Sequence, residues 1–307
     1  MRLQPQQQLG RSGQGALRAV TGATLVMSYL LVVLGDTVRV TQSGMGCRSW
    51  PLCNGSIGLA GNYHAMLEQS HRYMAAIVTV LVVASFLAAR RWARRDSFTY
   101  RGALFAVGFI VLQVALGALT VFAHNAGWTV ALHLGGAWLV LGAAAVMTVD
   151  AWTSTDQPRV YGPRGFAYPL VAGLFLVGVS GMLVLHGGAS RACPGWPLCP
   201  GASAPASLVA LQYIHRSLVG IWSIAMLVVA WSLWSRGAAG GPVRWLAALA
   251  VCLVLVTALL GAVVALEGAP ELAQDLHLAI ASLLWVDTVV LAAKALVGDA
   301  SRSPAKL

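Results

Sequence analysis

Eight uninterrupted apolar stretches, each long enough to cross a bilayer, constrain this chain more than any other feature. They run over roughly 17–38, 66–89, 102–122, 128–149, 166–186, 208–234, 244–266 and 275–297. A helix needs about 20 apolar residues to span a hydrocarbon core about 30 Å thick. Only 10 % of the 307 residues are charged, against roughly 25 % in soluble proteins, and a soluble globule could not cover itself with so little polar surface. In lipid each spanning segment must satisfy its own backbone, so the runs predict helices and an all-α integral membrane fold. The first run continues too far for a cleavable signal peptide and lacks a small-residue cleavage site.

An even number of spans puts both termini on one side, and the basic residues say which. Arg2, Arg11 and Arg18 lie at the N-terminal end, and Arg90, Arg91, Arg94, Arg95 and Arg101 in the next loop on that side. Arg159, Arg164, Arg236, Arg244, Lys294, Arg302 and Lys306 join them, leaving only Arg39, Arg48, Arg72, Arg191 and Arg216 toward the other face. The positive-inside rule then predicts cytoplasmic termini. The formal charge of +10 reads as this topology signal plus attraction to anionic lipid head groups, with no nucleic acid involved. A bacterial plasma membrane fits the basic loops, and the bilayer itself is the first partner.

The chain also repeats itself. Cys47-Arg-Ser-Trp50-Pro51-Leu52-Cys53-Asn-Gly55 recurs as Cys193-Pro-Gly-Trp196-Pro197-Leu198-Cys199-Pro-Gly201, an offset of 146. His71-Arg72 recurs as His215-Arg216, Leu116-Gly117-Ala118 as Leu260-Gly261-Ala262, and His133-Leu134 as His277-Leu278, all at an offset of 144. Four co-registered features predict a tandem duplication of a four-helix unit, and because four is even the units are parallel repeats about an axis along the membrane normal. The expected organisation is a tail 1–16, a first four-helix unit 17–149, a cytoplasmic linker 150–165, a second unit 166–297 and a tail 298–307.

Four histidines fall at matched depth in this scheme. His71, His133, His215 and His277 each sit about five residues into helices two, four, six and eight, about one to two turns below the cysteine-loop surface. Two imidazoles at one depth on neighbouring helices can take opposite faces of a porphyrin. A lone intramembrane histidine is more often a hydrogen-bond or proton-relay residue; two pairs at an identical 62-residue interval favour two hemes. Zinc fits less well, since no carboxylate or thiolate recurs beside each pair. His64, His124 and His186 do not repeat and read as interface residues.

Arg72 and Arg216 follow two of these histidines. An arginine in the bilayer costs roughly 2.5–3.5 kcal/mol on the lenient scale, so each wants a partner. Heme propionates are candidates through the bidentate guanidinium fork; snorkelling to the surface is the alternative. The cysteines of each loop pair have five residues between them, a span that can close a disulfide in an oxidising compartment and is too long for usual zinc spacing. Structural and redox-active pairs both remain open. Cys252, inside the seventh run, reads as an inert small apolar residue.

These residues resemble a known family. Val38-Arg39-Val40-Thr41-Gln42-Ser43-Gly44-Met45-Gly46-Cys47, continuing into Trp50-Pro51-Leu52-Cys53-Asn54-Gly55, is similar to the first outer loop of bacterial heme A synthases. Glu68-Gln-Ser-His71-Arg72, Leu116-Gly117-Ala118 with His133, the second Trp-Pro-Leu-Cys loop, His215-Arg216 and His277 match as well, covering about 17–297. The resemblance implies an eight-helix oxidoreductase that converts a methyl group of heme O to the formyl group of heme A, for cytochrome oxidase cofactor biosynthesis. It implies heme B ligated by His215 and His277, substrate heme O ligated by His71 and His133, and disulfides Cys47–Cys53 and Cys193–Cys199. It also implies heme O synthase as a partner and a quinone or other electron acceptor.

One asymmetry inside the sequence supports that division. The 144-residue offset places Gln212 opposite Glu68, so only the first unit carries an acid one turn before its histidine, on the same helix face. An intramembrane carboxylate suggests function by default, which makes Glu68 the catalytic candidate. The rival readings are a bis-heme b quinol electron-transfer cytochrome, a membrane thiol oxidase, and a transporter with proton-coupled histidines.

Overall fold

A computed structural model describes residues 5–58, 60–153, 164–235 and 241–300. Eight helices make up almost all of it: α1 (Pro5–Val40), α2 (Tyr63–Trp92), α3 (Phe98–Phe122), α4 (Gly127–Trp152), α5 (Ala167–His186), α6 (Ala206–Ser235), α7 (Gly241–Leu266) and α8 (Glu271–Ala300), with a 3₁₀ turn at Arg164–Phe166. Each is long and apolar enough to cross a membrane, so the chain is a multi-pass membrane protein. No strand is present among the described residues.

All eight expected runs are helices, and the helices outrun them where polar residues provide caps. Asn62 accepts the Ala65 N–H at 2.9 Å and so starts α2 at Tyr63. Ser97 does the same for α3 from Tyr100 N–H at 3.1 Å. Such caps satisfy amides that the helix itself leaves open. Asp150, expected to open the linker, lies inside α4, where its Oδ2 accepts the Thr99 N–H at 2.7 Å and the Thr99 hydroxyl at 2.6 Å. It therefore ties the end of α4 to the start of α3. Residues 154–163 of the linker, 1–4 of the first tail, Arg236, and 301–307 of the second tail lie outside the described residues.

Helices α4 and α8 form the centre. Half of each span is buried, against 17–28 % in the other six, and the two touch along their length. Helix α1 packs on α2, α4 and α8, while α5 packs on α6, α8 and α4. Trp138 and Trp285, both almost fully buried, stack with ring centres 5.4 Å apart at the α4–α8 contact. Outward faces carry Leu104, Val111, Ile221, Val228, Leu255 and Leu259, which a bilayer solvates and water does not. Cys252 is free and exposed on α7, so it faces outward instead of filling the core.

Candidate heme-binding site

Both cysteine pairs are bonded, with Cα atoms 4.8 Å apart in each, and both Trp-Pro bonds are cis. The loops lie at the end of the bundle where the four histidines enter. His71 stands eight residues after Tyr63, His133 six after Gly127, His215 nine after Ala206 and His277 six after Glu271. At about 1.5 Å per residue that is roughly 9–14 Å along each helix, somewhat further than the sequence spacing suggested for α2 and α6 because those helices start earlier.

His71 and His133 have ring centres 6.5 Å apart with planes at 69°, and His215 and His277 hold the positions 144 residues on, in α6 and α8. Two imidazoles on opposite sides of one metal, each about 2 Å from it, put their ring centres roughly 6 Å apart and leave the planes free to rotate about the common axis. The first pair matches that spacing.

Each histidine also lies against a glycine of the preceding helix. A Cβ on Gly35 would sit 3.0 Å from His71 Nε2, and one on Gly117 3.4 Å from His133 Cε1. On Gly181 and Gly261 it would sit 3.1 Å from Cε1 of His215 and of His277. At Gly35, Gly181 and Gly261 a side chain would crowd the imidazole, whereas at Gly117 a Cβ would make an ordinary contact. The Leu-Gly-Ala repeat pointed to Gly117 and Gly261; Gly35 and Gly181 were missed, although the 146-residue offset of the cysteine loops relates them.

Arg72 and Arg216 hold the loops down. Arg72 Nη1 donates to the carbonyls of Ser49 (2.7 Å) and Pro51 (3.1 Å), and Nη2 pairs with Glu68 Oε1 at 2.5 Å. Arg216 Nη1 donates to the carbonyls of Gly195 (2.8 Å), Pro197 (3.0 Å) and Leu198 (3.2 Å), but its Nη2 is buried without a partner. Neither side chain simply extends into water. Glu68 is 4 % exposed, and its second oxygen accepts the Cys47 N–H at 2.8 Å. Gln212 instead donates to the Ala189 carbonyl at 2.8 Å. The asymmetry read from the sequence therefore has a structural counterpart: one loop is clamped by a buried ion pair, the other only by hydrogen bonds.

A second polar group went unnoticed in the sequence. Arg39 pairs with buried Asp36 at 2.6 Å and reaches Gln274 at 3.3 Å, while the Thr37 hydroxyl donates to Asp275 at 3.0 Å. These bonds join α1 to α8, next to Gly35 on one side and two residues before His277 on the other. The signal was present as charged residues inside apolar runs. Asp287, buried in α8 with neither oxygen partnered, carried the same signal.

The fold and site define a class: an eight-helix membrane protein with two repeat-related histidine pairs near disulfide-closed loops. The family described as cytochrome oxidase assembly protein matches residues 60–289. A heme A synthase of Symbiobacterium thermophilum is 32 % identical over 283 residues, covering 88 % of this chain and 92 % of that protein. One of Alkalihalophilus pseudofirmus is 30 % identical over 254 residues, 78 % and 84 % of the two chains. Another, of Geobacillus thermodenitrificans, is 30 % identical over 226 residues, 71 % and 70 % of the two. The chain belongs to the heme A synthase family.

Proposed function

We propose that this protein is an oxidoreductase of heme A biosynthesis that converts a methyl group of heme O into a formyl group. The balanced change is methyl plus water to formyl, releasing four protons and four electrons to an acceptor such as a quinone. The observation that carries the reading is the approach of the His71 and His133 rings to 6.5 Å, a separation at which both could ligate one metal, together with family membership.

In this reading His71 and His133 hold substrate heme O, and His215 and His277 hold a resident heme B. A bound heme B supplies one-electron redox chemistry between the substrate and the acceptor. The residues fit such a group, since Gly181 and Gly261 leave the His215 and His277 imidazoles space and Arg216 keeps a buried, unpartnered Nη2 for a propionate. Arg72, already engaged, positions the loop above the substrate half and presents positive charge there. Glu68 brings negative charge one turn from His71, where it can stabilise positive charge developing at the oxidised carbon or take a proton from the attacking water. Low dielectric strengthens the first effect.

The two halves read as parallel repeats with cytoplasmic termini, the cysteine loops facing the outside of the plasma membrane and heme O synthase supplying the substrate. The matched packing of α1 on α2, α4 and α8 and of α5 on α6, α8 and α4 supports that arrangement. All four loop sulfurs are buried, Cys47 fully and Cys199 to within 8 %, which weighs against a thiol oxidase, because exchange needs an accessible sulfur.

Pyridine-hemochrome analysis of purified protein tests the heme assignments. The reading expects heme B together with heme O or heme A, with loss of heme B in His215→Ala and His277→Ala. Protein without heme, or full six-coordinate heme B in either variant, contradicts it.

A further inference from the structure

We infer that Ser180 is a positioning residue that fixes His215 as the Nδ1–H tautomer and thereby holds the C-terminal heme as a resident group. The inference rests on the reading that His215 and His277 ligate heme iron.

The argument is a count of donors. A serine hydroxyl has one hydrogen to give and two lone pairs to receive with. The Ser180 hydroxyl donates to the Val177 carbonyl at 2.7 Å within α5. It also lies 2.9 Å from His215 Nδ1, where it accepts as long as its own hydrogen stays on the Val177 carbonyl. His215 Nδ1 must then carry the proton, which leaves the Nε2 lone pair for a metal. His277 reaches the same state by another route: its Nδ1 lies 3.0 Å from the Thr257 carbonyl, which can only accept. Both imidazoles of the C-terminal pair are thus fixed in one tautomer by groups on the preceding helix.

The N-terminal pair has no equivalent. The residue 146 positions before Ser180 is Leu34, which has no hydrogen-bonding side-chain atom. Gln113 stands 144 positions before Thr257, with its carbonyl beside His133, yet His133 Nδ1 is buried without the hydrogen bond that His277 makes. An acceptor on the second ring nitrogen fixes ring orientation and raises ligand basicity, and losing one typically weakens metal affinity about 10- to 100-fold. The difference suits one half to keep its heme and the other to bind and release one.

Ser180→Ala and Ser180→Thr in the full-length protein test this, with two readouts: the midpoint potential of the low-spin heme B and its rate of transfer to excess apomyoglobin. A more basic ligand favours ferric iron, so removing the acceptor in Ser180→Ala is expected to raise the potential and to speed heme loss roughly tenfold or more. Ser180→Thr keeps a hydroxyl and should stay near the wild type in both. A Ser180→Ala protein with wild-type potential and transfer rate overturns the inference, as does Ser180→Thr shifting as far as Ser180→Ala, which marks a packing effect. His215→Ala is measured alongside: retention of its six-coordinate heme B removes the ligand reading itself, whereas its loss beside an unaltered Ser180→Ala removes only the role of Ser180.

Discussion

Trp138 donates its indole N–H to Ser282 Oγ at 3.1 Å, and the two residues are 144 positions apart, the offset that separates His133 from His277. Position 138 therefore meets its own counterpart across the α4–α8 contact. A residue touches its own equivalent only where a two-fold relation passes through the contact, which supports the parallel-repeat reading. Trp285 adds a second tie by donating to the Trp138 carbonyl at 2.8 Å.

Loosening this contact should separate the halves before it disturbs either site. Trp138→Ala removes a nearly buried ring, and is expected to cost about 3–5 kcal/mol. Ser282→Ala leaves one indole N–H unpaired and should cost about 1–3 kcal/mol. Thermal unfolding in detergent, followed by tryptophan fluorescence, checks both the direction and the order.

The glycines predict effects confined to one half. Gly261→Val places methyl groups against His277 and should displace the C-terminal heme while leaving the N-terminal site able to bind. Gly35→Val should do the reverse through His71. Heme titration of the two variants, followed by absorbance, distinguishes them; loss of both hemes in both variants would mean general misfolding.

The loop clamps predict unequal consequences for the two disulfides. By chain entropy each short loop is worth about 2 kcal/mol, so stability should fall by similar amounts in the Cys47→Ala/Cys53→Ala and Cys193→Ala/Cys199→Ala variants. Activity should not, because only the first loop contributes the Cys47 amide that holds Glu68. The first double variant is expected to lose more heme A formation per folded protein.

Glu68→Gln keeps the shape of Gln212 and removes the charge. It is expected to retain both hemes yet accumulate heme O or a partly oxidised product, and the reciprocal Gln212→Glu should not move the chemistry to the other half. Chromatography of extracted hemes checks this; normal heme A from a well-expressed Glu68→Gln protein would leave Glu68 as a clamp for Arg72 and Cys47 only.

Much of the fold was legible in the sequence because the bilayer reduces the problem to length and apolarity. Helix ends were less so: Tyr63 and His64 are not apolar, yet Asn62 caps them into α2. The histidine pairs could be read from one offset. Gly35 and Gly181 escaped because the offset changes from 146 to 144 between Cys53 and His71, where the first loop is two residues longer. Contacts made across the bundle left no local pattern. Nothing in spacing ties Arg72 to the Ser49 carbonyl, Arg39 to Gln274, or Ser180 to His215; these depend on which helices the fold sets side by side.

The most direct test of the central claim is conversion of heme O by this protein. Membranes containing it, supplied with heme O and an electron acceptor, are extracted and their hemes separated chromatographically. The account predicts heme A from the wild type and unreacted heme O from His71→Ala. Heme O recovered unchanged from wild-type protein that holds its full complement of heme B would contradict it.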